Sequence, residues 1–237
     1  MNSVRVEGTP EKPELVFSDC FNVAVPLIDR HLDEGRADKV VIYTAEEEVT
    51  YRQLAERVNK WGNAIAGLGL KPGERVLMVV KDCPEFYYIF WGCIKLGVIA
   101  VPLNTLLRGK DFSFIIEDSG CSAVLYSPEF TEEVEAALAE VATKPEQILK
   151  VEAIAKLAEP AGIELAAVDA SATDECFWLY SSGTTGEPKG VVHVHRDIIA
   201  TCELYAVRVL GQTEADTWFS VPKLFFAYGL GCGMTFP

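Results

Sequence analysis

Eleven residues concentrate the chemistry of this chain: Tyr180-Ser181-Ser182-Gly183-Thr184-Thr185-Gly186-Glu187-Pro188-Lys189-Gly190. Beyond the tyrosine they hold four hydroxyls, three glycines and one lysine. Glycine lets the backbone come close to a ligand, and successive amide N–H groups can converge on an anion. Serine and threonine add rotatable donors, and lysine adds a compact positive charge. That set suits the wrapping of a polyphosphate. The candidate contacts are Ser181, Ser182, Gly183, Thr184, Thr185, Gly186 and Lys189.

Two other readings compete. The P-loop of nucleotide triphosphatases has the form G-x-x-x-x-G-K-[ST]. With Gly183 as its first glycine, Pro188 takes the place of the second glycine and Gly190 that of the magnesium-binding hydroxyl. Two of four fixed positions fail. A flexible serine- and glycine-rich linker is the other reading. It is disfavoured by the flanks, Phe177-Trp178-Leu179-Tyr180 and Gly190-Val191-Val192-His193-Val194, which both read as buried strands. The stretch is then a tight connection inside a folded unit.

The elements that must position this loop can be read along the chain. Residues 1–20, with Pro10 and Pro13, read as an extended leader. Residues 21–32 read as a helix, 40–43 as a strand and 46–50 as a turn. Thr50 is a candidate N-cap for the helix that follows. In that helix Tyr51, Leu54, Val58, Trp61, Ile65 and Leu68 recur at 3,4,3,4,3 spacing, one apolar stripe for packing on a sheet. Strands follow at 75–80, 98–101 and 123–126, and helices at 84–96, 111–118 and 129–141. Pro84 suits the first turn of its helix. This alternation predicts parallel βαβ units, an α/β fold of mostly parallel β-sheets flanked by helices. Residues 144–174 are weakly patterned and read as a subdomain junction. A first α/β subdomain would then cover 21–170, and 171–237 would begin the ligand-binding region, with a helix at 196–209.

Ser181 to Gly190 match [ST]-[ST]-G-T-T-G-x-P-K-G throughout, and here the chain resembles the adenylate-forming superfamily of acyl- and aryl-CoA ligases, peptide-synthetase adenylation domains and luciferases. Val49-Thr50-Tyr51-Arg52-Gln53-Leu54 is similar to the family's "LTYxEL" segment. Gly92 to Asn104 is similar to "AxLKAGxxxVPLN", and His195 follows Lys189 at the spacing of "PKGVxxxH". Lys223-Leu224-Phe225-Phe226-Ala227-Tyr228-Gly229-Leu230-Gly231 resembles the benzoate-CoA ligases and close aryl-CoA ligases. The family's later "YGxTE" segment, ribose aspartate, hinge and second lysine are not found in these 237 residues. The resemblance therefore implies the N-terminal portion of an aryl-CoA ligase, inactive alone.

The resemblance further implies two steps. An aromatic acid and ATP give an aryl adenylate and pyrophosphate, and coenzyme A then displaces AMP. Lys189 and Thr184 are the catalytic candidates within the phosphate cradle, and Mg²⁺ is expected with the nucleotide. The acid pocket is expected from Phe226, Ala227, Tyr228 and Gly229, with one of Phe225 and Phe226 in the core and Phe226 on the pocket. A benzoate ring buried there gains roughly 1.5–3 kcal/mol, by analogy with phenylalanine. The alternatives are an adenylating enzyme for a fatty or amino acid, and a non-catalytic binding module of ligase ancestry.

Composition bounds the partners. The formal net charge of −14 disfavours nucleic acid and anionic membranes. Hydrophobic content of 49% with 24% charged residues fits a globular chain with a real core. Seven cysteines at wide spacing, without C-x-x-C, disfavour zinc and disulfides and fit a cytoplasmic protein. The run 86–103 is broken by Lys95, Gly97 and Pro102, and divides into a helix and a strand rather than a membrane span. No metal site is expected: His193 and His195 alternate on one strand face without a third ligand. His195 is expected near the nucleotide, His193 in a structural role and His31 on the surface. A homo-oligomer is left open.

Overall fold

The computed structural model describes residues 2–182 and 187–237. The first twenty residues correct the expected leader. They form an antiparallel hairpin, β1 (Val4–Thr9) with β2 (Lys12–Phe17). Val4, Leu15 and Phe17 pack on the main core, which gives the segment a reason to fold back. Gly8 makes the turn possible, with φ +84° and a Cα face against the Lys12 carbonyl. A wide helical turn (Val25–Asp29) leads into α1 (Arg30–Asp33), shorter than the helix expected from residue 21. Pro26 sits in the first turn, where its missing amide is not needed.

The strands β3 (Val40–Tyr43) and β4 (Glu48–Thr50) pair antiparallel and feed α2 (Tyr51–Ala66). Thr50 caps α2 as expected: its hydroxyl accepts from the Gln53 amide, and the Gln53 side chain accepts from the Thr50 amide. Tyr51, Leu54, Val58, Trp61 and Ile65 are all buried.

The central sheet follows. Its strands are β5 (Arg75–Val79), β6 (Ile99–Pro102), β7 (Ala123–Tyr126), β8 (Gln147–Lys150), β9 (Glu175–Ser182) and β10 (Pro188–Val194). Their order is β10-β9-β6-β5-β7-β8, with every pair parallel except β9–β10. The helices between them are α3 (Pro84–Lys95), α4 (Gly109–Ser119), α5 (Thr131–Glu140) and α6 (Val151–Ala158). Alternate strand residues face opposite layers. Val76, Met78, Ala100 and Leu125 join the layer of α2 and α3, while Leu77, Val79, Val101 and Val124 join that of α4 and α5. Burial on both faces explains the unbroken apolar strand sequences.

Residues 144–174, expected as a junction, instead supply β8 and α6 to this body. One sheet therefore runs through both sides of residue 170. Gly62 of α2 and Gly92 of α3 allow those helices to touch, since a Cβ on Gly92 would lie 3.1 Å from the Gly62 Cα. Lys95 is fully buried nearby, its Nζ 2.8 Å from Asp29 Oδ1 and 2.7 Å from Asn59 Oδ1. Among the described residues, no helix is long and apolar enough to cross a membrane. After β10 the chain forms α7 (His195–Thr201), continued by wider helical turns (Cys202–Val207) over most of the expected helix, and the short α8 (Ala227–Leu230).

Candidate functional site

The hydroxyl-rich stretch lies at the tip of the β9–β10 hairpin. Its register pairs Tyr180 with Gly190, Ser181 with Lys189 and Ser182 with Pro188. Gly183, Thr184, Thr185 and Gly186 lie outside the described residues. Ser181, Ser182, Glu187 and Lys189 are all exposed, so the stem presents its polar groups to solvent. The β10 flank corrects the expectation of two buried strands. It is the outer strand of the sheet, with Val191 and Val192 43% and 45% exposed.

Two faces of β9 do different work. Phe177 and Leu179 enter the core, with Phe177 packed edge-on to Phe90. Trp178 and Tyr180 point to the opposite layer, where Trp178 lies under the Arg75 guanidinium at 5.8 Å. The Tyr180 hydroxyl donates to Asp118 Oδ2 at 2.5 Å.

The aromatic segment sits at the same edge of the sheet. Ala100 is the register partner of both Val76 on β5 and Phe177 on β9. Five residues further along each strand, Lys81 and Ser182 leave the sheet at its carboxyl edge, where ligands bind in open α/β sheets. β6 alone separates the two strands, so their ends lie about 10 Å apart. Asp82, just past β5, holds the aromatic segment there. Its Oδ1 accepts from the Leu224 amide at 3.2 Å and its Oδ2 lies 3.5 Å from Lys223 Nζ. Tyr87 on α3 adds a hydrogen bond from its hydroxyl to the Gly233 carbonyl.

Within the segment, Phe225 is 6% exposed and Phe226 48%, with ring centroids 4.5 Å apart. Ala227 is also exposed and Tyr228 is 62% exposed. Gly229 is different. It is buried, and a Cβ there would meet the Lys223 carbonyl oxygen at 2.0 Å. Its place is a backbone crossing rather than an open wall. Two hollows of about 230 and 810 Å³ lie beside His31, Tyr51, Tyr87 and Phe236, and neither is lined by residues 226–229.

The histidines correct one expectation, that for His31. His195 is 1% exposed, and its Nδ1 accepts from the Val23 amide at 3.1 Å. Burial lowers its pKa to about 4, so it is a neutral core acceptor. It is the first residue of α7, directly after β10. His31 is half-buried rather than on the open surface. It stacks on Tyr51 at 4.0 Å and accepts from Arg36 Nε, and burial with Arg36 and Arg30 lowers its pKa to about 4. His193 stacks on Phe177 at 4.6 Å, a packing role. Among the described residues no group of three or more His, Cys, Asp or Glu could hold a metal. Sequence reasoning missed Asp82 and Tyr87. The usable signal was the position of Asp82 at the carboxyl end of a parallel strand, just before the Pro84 helix start.

A hydroxyl-bearing hairpin stem at the carboxyl edge of a mostly parallel sheet, with an aromatic segment beside it, makes this an α/β domain with its candidate site at the strand ends. The chain belongs to the family of AMP-binding enzymes, which matches residues 29–237. It is 40% identical over 230 residues to a benzoate–CoA ligase of Thauera aromatica, covering 95% of this chain and 44% of that protein. A solved benzoate CoA ligase of Burkholderia xenovorans LB400 superposes with a TM-score of 0.81 at 36% identity, over 92% of this chain and 43% of that one. The anthranilate CoA ligase AuaEII, solved with anthranoyl-AMP, gives 0.84 at 34% identity over 93% and 43%. The chain thus spans less than half the length of these three relatives.

Proposed function

We propose that this chain carries the phosphate-binding and part of the acid-binding apparatus of an AMP-forming acid–thiol ligase for benzoate or a related aromatic acid. The observation that supports this most is the shared carboxyl edge: β9 leads into the loop stem there, and Asp82, just past the end of β5 about 10 Å away, holds the aromatic segment. The aryl-CoA ligases among the similar proteins supply the substrate class.

A carboxylate resists thiol attack because oxide is its leaving group. Its oxygen attacks the α-phosphorus of ATP, pyrophosphate departs, and the mixed anhydride then carries AMP as a good leaving group for the coenzyme A thiol. The chain's residues serve the first step. The amides of Gly183 to Gly186 and the hydroxyls of Ser181, Ser182, Thr184 and Thr185 cradle the β- and γ-phosphates. Lys189, paired across the stem from Ser181, offsets charge as pyrophosphate leaves. Exposed serine hydroxyls are hard oxygen donors, so the stem suits the Mg²⁺ that accompanies a nucleotide. Bound with the nucleotide, it would supply positive charge to offset the phosphates against an acidic chain. Phe226, Ala227 and Tyr228 offer exposed apolar surface to a flat ring, and Gly229 sets the backbone course behind them. Free, mostly buried thiols suit a reducing cytoplasm.

The test is benzoate-dependent ATP–pyrophosphate exchange in the intact protein. Lys189→Ala is expected to lower the exchange rate by roughly 10²–10³-fold. A rate within twofold of the unsubstituted protein, or faster exchange with octanoate or phenylalanine than with benzoate, defeats the reading.

A further inference from the structure

We infer that Tyr180 and Asp118 are positioning residues that brace the phosphate-loop stem against the end of α4. The inference rests on the reading of residues 181–189 as a triphosphate cradle, and adds a device that the loop motif does not contain.

Tyr180 is the last bulky residue before the loop hydroxyls, and its cross-strand partner is Gly190, the first residue after Lys189. A Cβ on Gly190 would stand 3.2 Å from the Tyr180 Cζ and 3.4 Å from its hydroxyl oxygen. The ring therefore lies across the bare glycine backbone, a packing that pins the register of a hairpin at its weakest residue. At its far end the hydroxyl donates to Asp118 Oδ2 at 2.5 Å. Asp118 is in the last turn of α4, a turn that is itself held. Arg75 Nε donates to the Ser119 carbonyl and Arg75 Nη2 to the Gly120 carbonyl, both at 2.8 Å. The same guanidinium caps the Trp178 ring two residues before Tyr180.

A chain of contacts thus runs from β5 through Arg75 to the end of α4, and from Asp118 through Tyr180 to both strands of the stem. The outer strand has no sheet neighbour on its far side among the described strands. The brace compensates on the face of the hairpin. Asp118 is exposed and Tyr180 half-buried, so the bond adds little to global stability, whereas the loop amides depend on stem placement.

The experiment measures separate KM values for ATP and benzoate, with kcat, in the intact protein. Tyr180→Phe and Asp118→Ala are each expected to raise the ATP KM about fivefold, the equivalent of one hydrogen bond. The benzoate KM stays within twofold, and the two changes together do no more than either alone. Asp118→Asn, which keeps an acceptor for the phenol, restores the ATP KM. An unchanged ATP KM in Tyr180→Phe and Asp118→Ala, with a raised one in Lys189→Ala, overturns the brace and spares the loop. Equal rises in both KM values also overturn it. If Lys189→Ala and Thr184→Ala leave the ATP KM unchanged too, the cradle reading fails and takes the brace with it.

Discussion

Replacing Gly229 by alanine should cripple use of the acid while sparing use of ATP. A Cβ at this position would lie 2.0 Å from the Lys223 carbonyl oxygen, 2.6 Å from its carbon and 2.7 Å from the Pro222 oxygen. Relaxed contacts begin near 3.5 Å, so the crossing must open by about 1.5 Å. No flexible side chain can absorb this, because all three neighbours are backbone. The Lys223 side of the crossing is also fixed. Asp82 holds the Leu224 amide, and the Phe226 amide donates to the Lys223 carbonyl at 3.0 Å. The displacement therefore passes into Phe226, Ala227 and Tyr228. A misplacement of about 1 Å can cost on the order of 10²-fold in rate, and the overpacking itself costs roughly 1–3 kcal/mol of stability. The assay is pyrophosphate release with benzoate and ATP varied separately, alongside thermal unfolding. The expected result is a benzoate kcat/KM lower by about 10²-fold with the ATP KM within threefold. Gly162→Ala is the control, since its Cβ would meet its nearest neighbour at an ordinary 3.7 Å. A Gly229→Ala protein with an unchanged benzoate KM and kcat would show that the 223–229 crossing does not shape the acid site.

Two further expectations concern buried polar groups. Lys95→Met keeps the stem volume and leaves Asp29 partly hydrated, so it should lower stability by roughly 1–3 kcal/mol. Lys95→Ala also empties the stem's space and should cost roughly 3–5 kcal/mol; equal urea midpoints for the two would show that the stem packs nothing. His195 has a folded pKa of about 4 against 6.5 unfolded, so the unfolded chain binds more protons between those values. Its stabilising contribution is complete above pH 6.5 and falls as pH drops toward 4, by on the order of 3 kcal/mol. His195→Asn keeps an acceptor for the Val23 amide and should show a shallower decline, though not a flat one, because His31 shifts in the same direction. Urea midpoints at pH 7, 5.5 and 4.5 test this, and an unaltered slope would place the proton elsewhere.

What was legible in the sequence was what local rules decide. The α2 stripe and its Thr50 cap depend on spacing within one helix, and both appear as expected. The strands β5 to β7 were readable because burial on two faces leaves apolar runs between turn signals. The errors arose where distant contacts decide. Val191-Val192 reads as buried, yet lies on an outer strand because nothing in its own composition states its place in the sheet order. β8 and α6 were hidden because the strand is short and half-exposed and the helix is rich in alanine. The hairpin β1–β2 was masked by two prolines, one in the turn and one near its end of the ladder. In the site, the loop stem and the split between Phe225 and Phe226 could be anticipated from residue types. The partners of Asp82, Tyr87 and Asp118 could not, because each acts on a segment more than sixty residues away, although the position of Asp82 at a strand end was a usable signal.

One detail of the sheet carries a mechanical implication. β6 and β9 meet through a single register pair, Ala100 with Phe177, whereas β5 is laced to each of its neighbours by four. The backbone ladder between the parallel body and the final hairpin is thus short, and Phe177 adds an edge-on contact to Phe90 of α3. Such a seam yields before the strands on either side of it do. Amide hydrogens along that line are expected to exchange sooner than those of the β5 ladder.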